Sequence, residues 1–207
     1  MYFTYDIVRR VPAHIIQKEH RLGPNTIAEF GLFCRETMLM YVEGCSEKFG
    51  GPNKTVEIDQ SKFGRRKYYM GHPVKGKWVF GRFERESGKK FLAPVPDTTA
   101  DSLKAVIDAW IEPGTTVISD CWVAYRDFDA EYYTHRTVNH SIDFVDELTG
   151  AHTNNIKSTW RVVKAFLSPS YGKGDYINRV GHYMCAVRCR AEKVNQFTKF
   201  MFLVTMM

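Results

Sequence analysis

The spacing of apolar residues changes character along this chain. Through the first fifty positions it is helical. Ile27, Phe30, Phe33 or Cys34, Thr37 or Met38 and Tyr41 recur at three- and four-residue intervals, which predicts a helix over 26–42. Thr26 with Glu29 three positions on reads as a capping box that starts it. A shorter helix is predicted over 15–20, joined to the longer one by the turn 21–25. Two helices about a glycine-bearing turn read either as a helix-turn-helix entering a DNA groove or as a helical hairpin packed on a larger domain. The second helix is rich in aromatics and poor in basic residues, which leans to the hairpin. Residues 44–53 then form a linker.

From Thr55 the period shortens to two. Strands are predicted over 55–59, 77–83, 90–95, 115–119 and 135–140, with 84–89 as a hairpin turn. Helices are predicted over 97–113, where Leu103, Val106, Ile107 and Trp110 form a stripe, over 153–167, and over 177–200. Residues 122–128 read as a helical turn and 143–150 as a polar loop. The domain organisation expected is an N-terminal helical segment (1–50), an α/β domain (51–190) and a C-terminal helical tail (191–207).

A meander of three strands followed by helix, strand, helix, strand and helix is a mixed α/β layout of the kind an RNase H-like fold uses: a mixed five-stranded sheet flanked by helices. It places two acids together. Asp59 and Asp120 each follow a short apolar strand, and on neighbouring central strands their carboxylates share one edge. Two such carboxylates plus a third ligand from a helix hold two divalent ions about 3.5–4 Å apart for phosphoryl transfer. Hard Mg²⁺ or Mn²⁺ suits those oxygens. An aspartate after a strand is also an ordinary turn-former. The basic set Lys62, Arg65, Arg66 and Lys67, with Lys75, Lys77 and Arg82, reads either as one wall of a phosphate-binding cleft or as a solvated loop.

Composition adds three points. A net charge of +6 and a pI near 9.0 suit a polyanionic partner, and 44% hydrophobic residues exclude wholesale disorder. No apolar run reaches the ~18 residues of a membrane span, so the greasy stretch 197–207 reads as a packed or frayed terminus. Five scattered cysteines with no secretory signal suggest a reducing, intracellular setting. His182, Cys185 and Cys189 share a helix face, but without a fourth ligand they read as buried thiols more than as a zinc site.

The motifs VEIDQSKFGRRKY, WVFGRFER, IEPGTTVISDCWVAY and TVNHSIDFVDELTGAHTNNIKSTW, with Lys164, resemble the DDE transposase domain of ISXO-type insertion sequences and Merlin elements over about 55–190. The resemblance implies an RNase H-like fold, DNA strand cleavage and transfer, a two-metal Mg²⁺ or Mn²⁺ centre, DNA ends and target DNA as partners, and a homo-oligomer. Asp59 stands at the family's first acid and Asp120 at its second. The third acid falls in the segment His152-Thr153-Asn154-Asn155-Ile156-Lys157, where the glutamate position holds Lys157. Lys164 matches a basic residue that meets DNA phosphate; His140 and His152 match family histidines that orient the site or hydrogen-bond within the fold.

The departure at 157 matters. A carboxylate donates electron pairs to a cation, whereas an ammonium offers only protons. Asn154 or Asn155 would supply a neutral oxygen, and Asp146 or Glu147 precede the helix, but none is in register; Gln60 is neutral where the family often has another acid. Two functions are therefore expected of such a chain: a transposase with weakened cleavage, or a decayed or domesticated relative that binds DNA without cutting it. The motif wording leans to the eukaryotic branch, which implies a nuclear location; otherwise the location is cytoplasmic.

Overall fold

A computed structural model of the chain describes residues 2–63, 76–120, 132–138, 152–167 and 175–206. Its elements in chain order are α1 (Tyr2–Val8), α2 (Ala13–His20), α3 (Pro24–Gly44), β1 (Phe49–Gly50), β2 (Thr55–Phe63), β3 (Lys77–Glu84), β4 (Lys90–Val95), α4 (Ala100–Trp110), β5 (Ile111–Glu112), β6 (Thr116–Asp120), β7 (Thr134–Val138), α5 (Asn154–Leu167), α6 (Tyr176–Ala191) and α7 (Gln196–Met206). They form two compact units, Glu47–Gly174 and a second made of both chain ends, Met1–Ser46 with Asp175–Met207. The division differs from the 1–50, 51–190 and 191–207 read from sequence: α6 belongs with the helices of the chain ends.

In the Glu47–Gly174 unit, five strands lie in the order β4-β3-β2-β6-β7. The first three are an antiparallel meander, and β2, β6 and β7 run parallel. This is the mixed sheet of an RNase H-like domain. A parallel neighbour needs a crossover, which is why α4 intervenes before β6. One sheet face carries Val56, Ile58, Phe80 and Val117, buried against Leu103 and Ile107 of α4 and Ile111. On the other face lies α5, with Ile156, Trp160, Val163 and Leu167 buried at helical spacing.

Three boundaries moved for local reasons. β2 does not stop at Asp59 but runs to Phe63, because β3 pairs with it throughout, out to Phe63 opposite Lys77. α4 starts after Thr99, whose Oγ1 accepts the Ser102 N–H, and ends where Ile111 and Glu112 pair with β1. α3 starts at Pro24 with Gly23 as its N-cap, and Thr26 is not the cap. Proline fits the first helical position because its missing N–H would have no partner there.

The helical unit packs α3 against α6 where Gly181 allows close approach; a Cβ there would come within 2.7 Å of the Leu39 Cβ. Arg35 donates to Asp175 at 2.6 Å. The run predicted over 177–200 is two helices, broken where Lys193 takes a φ of 55°. α3 carries Glu29, Glu36 and Glu43 but one cation, the ion-paired Arg35. Such a helix would repel phosphate, which favours the hairpin reading over a groove-entering one. Cys185 and Cys189 are buried with sulfurs 4.0 Å apart, while the His182 ring turns to the Val8 carbonyl at 3.1 Å, away from any shared metal position. No helix among the described residues is long and apolar enough to cross a membrane.

α5 can settle on the sheet because Gly81 has no side chain. A Cβ at 81 would lie 2.5 Å from the Trp160 ring and 2.8 Å from Ile156 Cδ1. Gly81→Ala is therefore expected to destabilise the protein by about 1–3 kcal/mol through overpacking, read by urea denaturation. An unchanged midpoint would mean that α5 has room to lift.

Candidate active site

β2 alternates, so Glu57, Asp59, Ser61 and Phe63 face α5, while Val56 and Ile58 face the opposite core. The register of β2 with β6 pairs Thr55 with Thr116, Val56 with Val117 and Glu57 with Ile118. Asp59 and Asp120 each lie two residues beyond the last of these pairs, Asp120 at the end of β6. Side chains of like parity on neighbouring parallel strands share a face, so the two aspartates lie on the same face of the sheet. Asp59 Oδ1 accepts the Gln60 N–H at 2.8 Å, and Oδ2 accepts the indole N–H of Trp160 at 3.1 Å.

Electrostatics fix the character of the pair. Asp59 is buried, and its pKa is pushed up to about 6, first by desolvation and then by the negative charge of Asp120. Opposing this are the Gln60 hydrogen bond, the positive charge of Lys157 and the Trp160 hydrogen bond. Lys157 thus reaches the pair through space from α5, one turn before Trp160. Asp59 thus feels the charges of Asp120 and Lys157, the two positions that the family resemblance groups with it.

What holds α5 in this place is Glu57, which sequence reading passed over. Its carboxylate is fully buried. Oε2 accepts the backbone N–H groups of Asn155 and Ile156 at 3.0 and 3.1 Å, and Oε1 accepts the Asn155 side-chain amide at 2.7 Å and Arg85 at 2.8 Å. A strand carboxylate therefore caps the α5 N-terminus across 98 residues of sequence, where unpaired N–H groups and the helix dipole favour negative charge. His152 joins this clamp: its carbonyl accepts from Arg85 at 2.7 Å, and its Nδ1 lies 3.4 Å from Glu57 Oε1. Asn154 is exposed, with its backbone N–H directed at His152 Nδ1. The signal in the sequence was a glutamate in an apolar strand two residues before Asp59, hence on the same face.

The basic residues separate. Lys164 lies over the Phe63 ring at 5.8 Å, and Phe63 meets Trp160 edge-on, so α5 presents Lys157, Trp160 and Lys164 along one side. Lys77 pairs with Phe63 and is exposed on the Asp59 face. Lys62 points from the other face, over Trp78. Arg82 is no cleft residue: it is 1% exposed on the α4 face, enclosed by the rings of Phe49, Phe91 and Trp110. Its guanidinium donates to the carbonyls of Trp110 and Glu47, and burial pulls its pKa down to about 9. Arg65, Arg66, Lys67, Lys75, His140, Asp146 and Glu147, and the segments 122–128 and 143–150, lie outside the described residues.

This order of strands, with two in-register aspartates under a helix, meets a sequence-level match. The ISXO2-like transposase domain family is matched over residues 49–191, more than half of the chain. The chain belongs to the ISXO2-like transposase family. No curated protein matches it. Solved structures similar to the transposase domain include the catalytic core domain of BIV integrase, at 12% identity and TM-score 0.43, covering 63% of this chain and 79% of that one. The HTLV-2 integrase catalytic core domain in complex with magnesium, in its trimeric form, gives 14% identity and TM-score 0.38, covering 62% and 82%. Likeness of that size carries no argument about this chain.

Among the described residues the donor set of the transposase site does not fit a pair of divalent ions. Among the described residues two carboxylates converge there, and the third member is an ammonium that repels a cation and offers it no electron pair. The only group of three close acid, histidine or thiol ligands among the described residues is Asp6, Glu19 and His20 in the helical unit, which a 2.7 Å His20–Asp6 contact accounts for.

Two outcomes follow. Asp59 binds its proton more tightly folded than unfolded, so its contribution to stability is fully present below pH 3.8 and is lost as pH rises through about 6. Over that window wild type should lose stability relative to Asp59→Asn by an amount on the order of 3 kcal/mol, read by urea denaturation at each pH. A constant difference would show that Asp59 is not in this environment. Separately, Glu57→Ala orphans Arg85 and two helix N–H groups, and should cost about 3–5 kcal/mol with early hydrogen exchange at 155–157. Loss of stability without faster exchange there would place the role of Glu57 elsewhere.

Proposed function

We propose that this chain is a transposase-derived DNA-binding protein whose strand cleavage is impaired. The observation that carries the proposal is Lys157, whose positive charge acts on Asp59 and which stands where the family resemblance puts the third acid. Cleavage of a phosphodiester by this site requires two ions, one to activate the attacking oxygen and one to neutralise the leaving oxygen. Two carboxylates with an ammonium beside them leave at most a weak one-ion site for Mg²⁺ or Mn²⁺.

DNA binding has separate support. Lys157, Lys164 and Lys77 lie on the Asp59 face, and the chain carries a net charge of +6. Contacts of this kind are made to phosphate and tolerate any sequence. The partner proposed is therefore duplex DNA, with element ends as its ancestral substrate. A homo-oligomer and a nuclear location belong to the same reading.

The intact Asp59 and Asp120 favour residual cleavage as a second reading, and one assay separates the two. Strand nicking of terminal-repeat DNA in Mn²⁺ is measured for wild type, Lys157→Glu and Asp120→Ala. Wild type should be at the level of Asp120→Ala, and Lys157→Glu should exceed both by at least the ~10²-fold typical of restoring one catalytic group. Nicking by wild type equal to that of Lys157→Glu would defeat the impairment and leave an active transposase.

A further inference from the structure

The outer face of α3 mixes acids with exposed apolar side chains. Glu29, Glu36 and Glu43 recur at seven-residue spacing, two helical turns, and so fall on one line of the helix. Leu32 flanks that line on one side, and Phe33 and Met40 flank it on the other. All six residues are exposed, Met40 by 60%, whereas Ile27, Gly31, Cys34, Met38 and Val42 are buried on the opposite face. A lysine or arginine three or four residues away would offset a surface glutamate, and none stands at that spacing from any of the three. Arg35, the one cation of α3, is bound to Asp175. Among the described residues none of the three glutamates is ion-paired. In a chain with a net charge of +6, the face is a local concentration of the opposite sign.

We infer that this face docks a basic amphipathic helix of a partner protein, its arginines laid along the three acids and its apolar side chains against Leu32, Phe33 and Met40. Charge decides between occupants. A second copy packed here about a two-fold axis would set Glu36 against Glu36 and Glu29 against Glu43, which like charges oppose. Nucleic acid is turned away by the same sign. An arginine helix fits on three counts. Its guanidinium meets a carboxylate through two parallel N–H···O bonds, its plane stacks on an aromatic ring, and its stem covers apolar surface. Phe33 is held ready for such a contact, with its ring 5.8 Å from that of Phe30 and 6.4 Å from that of Phe200. The face belongs to the helical unit, so the inference stands apart from the reading of the aspartate site.

The test uses the full chain and a fluorescently labelled synthetic helix, as long as α3, with arginine at every seventh position and leucines on either side. A counterpart carries glutamine in place of each arginine. The net charge of the chain repels a cationic peptide, so attraction reports a local acidic face. In fluorescence anisotropy wild type should prefer the arginine helix to the glutamine helix, and molar salt should remove the preference. The triple variant Glu29→Gln, Glu36→Gln, Glu43→Gln should bind the arginine helix about tenfold more weakly. Met40→Gln should weaken both peptides, since it takes away apolar surface that either one covers. Glutamate, methionine and glutamine are similar helix formers, so both variants should melt with wild type. The inference is overturned if wild type binds the two peptides alike or neither, or if the triple variant binds the arginine helix as wild type does. It is overturned in favour of a second copy if wild type sediments as an oligomer that Met40→Gln returns to the monomer.

Discussion

The carboxylate of Glu57 sits without solvent between a strand and the first turn of a helix, surrounded by four N–H donors from Asn155, Ile156 and Arg85. Taking a carboxylate out of water costs several kcal/mol, which is recovered only where geometry and hydrogen bonding are good. Here both are, and the consequence is positional. An apolar stripe alone lets a helix slide or roll on a sheet with little penalty, because hydrophobic burial has no direction. The Glu57 bonds fix α5 along its axis, and Gly81 fixes its height by admitting the Trp160 ring. From these two constraints the place of residue 157 follows.

The candidate site is then a product of register. Asp59 is not at a strand end, as β2 continues past it against β3; Asp120 is. The two share a face because β2 and β6 are parallel and Asp59 and Asp120 have the same parity. Asp59 is covered by Trp160, whose indole N–H it accepts. Burial and the charge of Asp120 raise the Asp59 pKa. The site therefore holds repulsion that the surrounding hydrogen bonds do not remove, as functional sites commonly do.

Much of this was legible in the residues. The stripe Ile156, Trp160, Val163 and Leu167 marks α5, the strands at 77–83 and 90–95 are placed within a residue, and strand order puts Asp59 and Asp120 on neighbouring strands. What was not legible depends on partners distant in sequence. The length of β2 is decided by β3, and the end of α4 by a two-residue bridge to β1. Arg82 looked like a cleft cation because its charge was read without its parity. It lies opposite Ile58, so it shares the core face, and three aromatic rings accept its charge there. Glu57 was overlooked for the converse reason: its parity was right, but its partners lie about a hundred residues away. Trp160 is a buried aromatic of the α5 stripe, and its indole N–H is also a direct partner of Asp59.

The exchange of an acid for a base at 157 is a change of chemistry that the fold does not register. Lysine and glutamate have similar helix propensities, and the residue is half-buried, outside the apolar stripe. α5 is anchored by Glu57 through residues 155 and 156 and by Trp160, none of which needs a particular side chain at 157. Position and chemistry are thus held by different residues in this domain. On the proposed reading, a chain keeps the contacts that build the site while the sign of one charge changes what that site accepts.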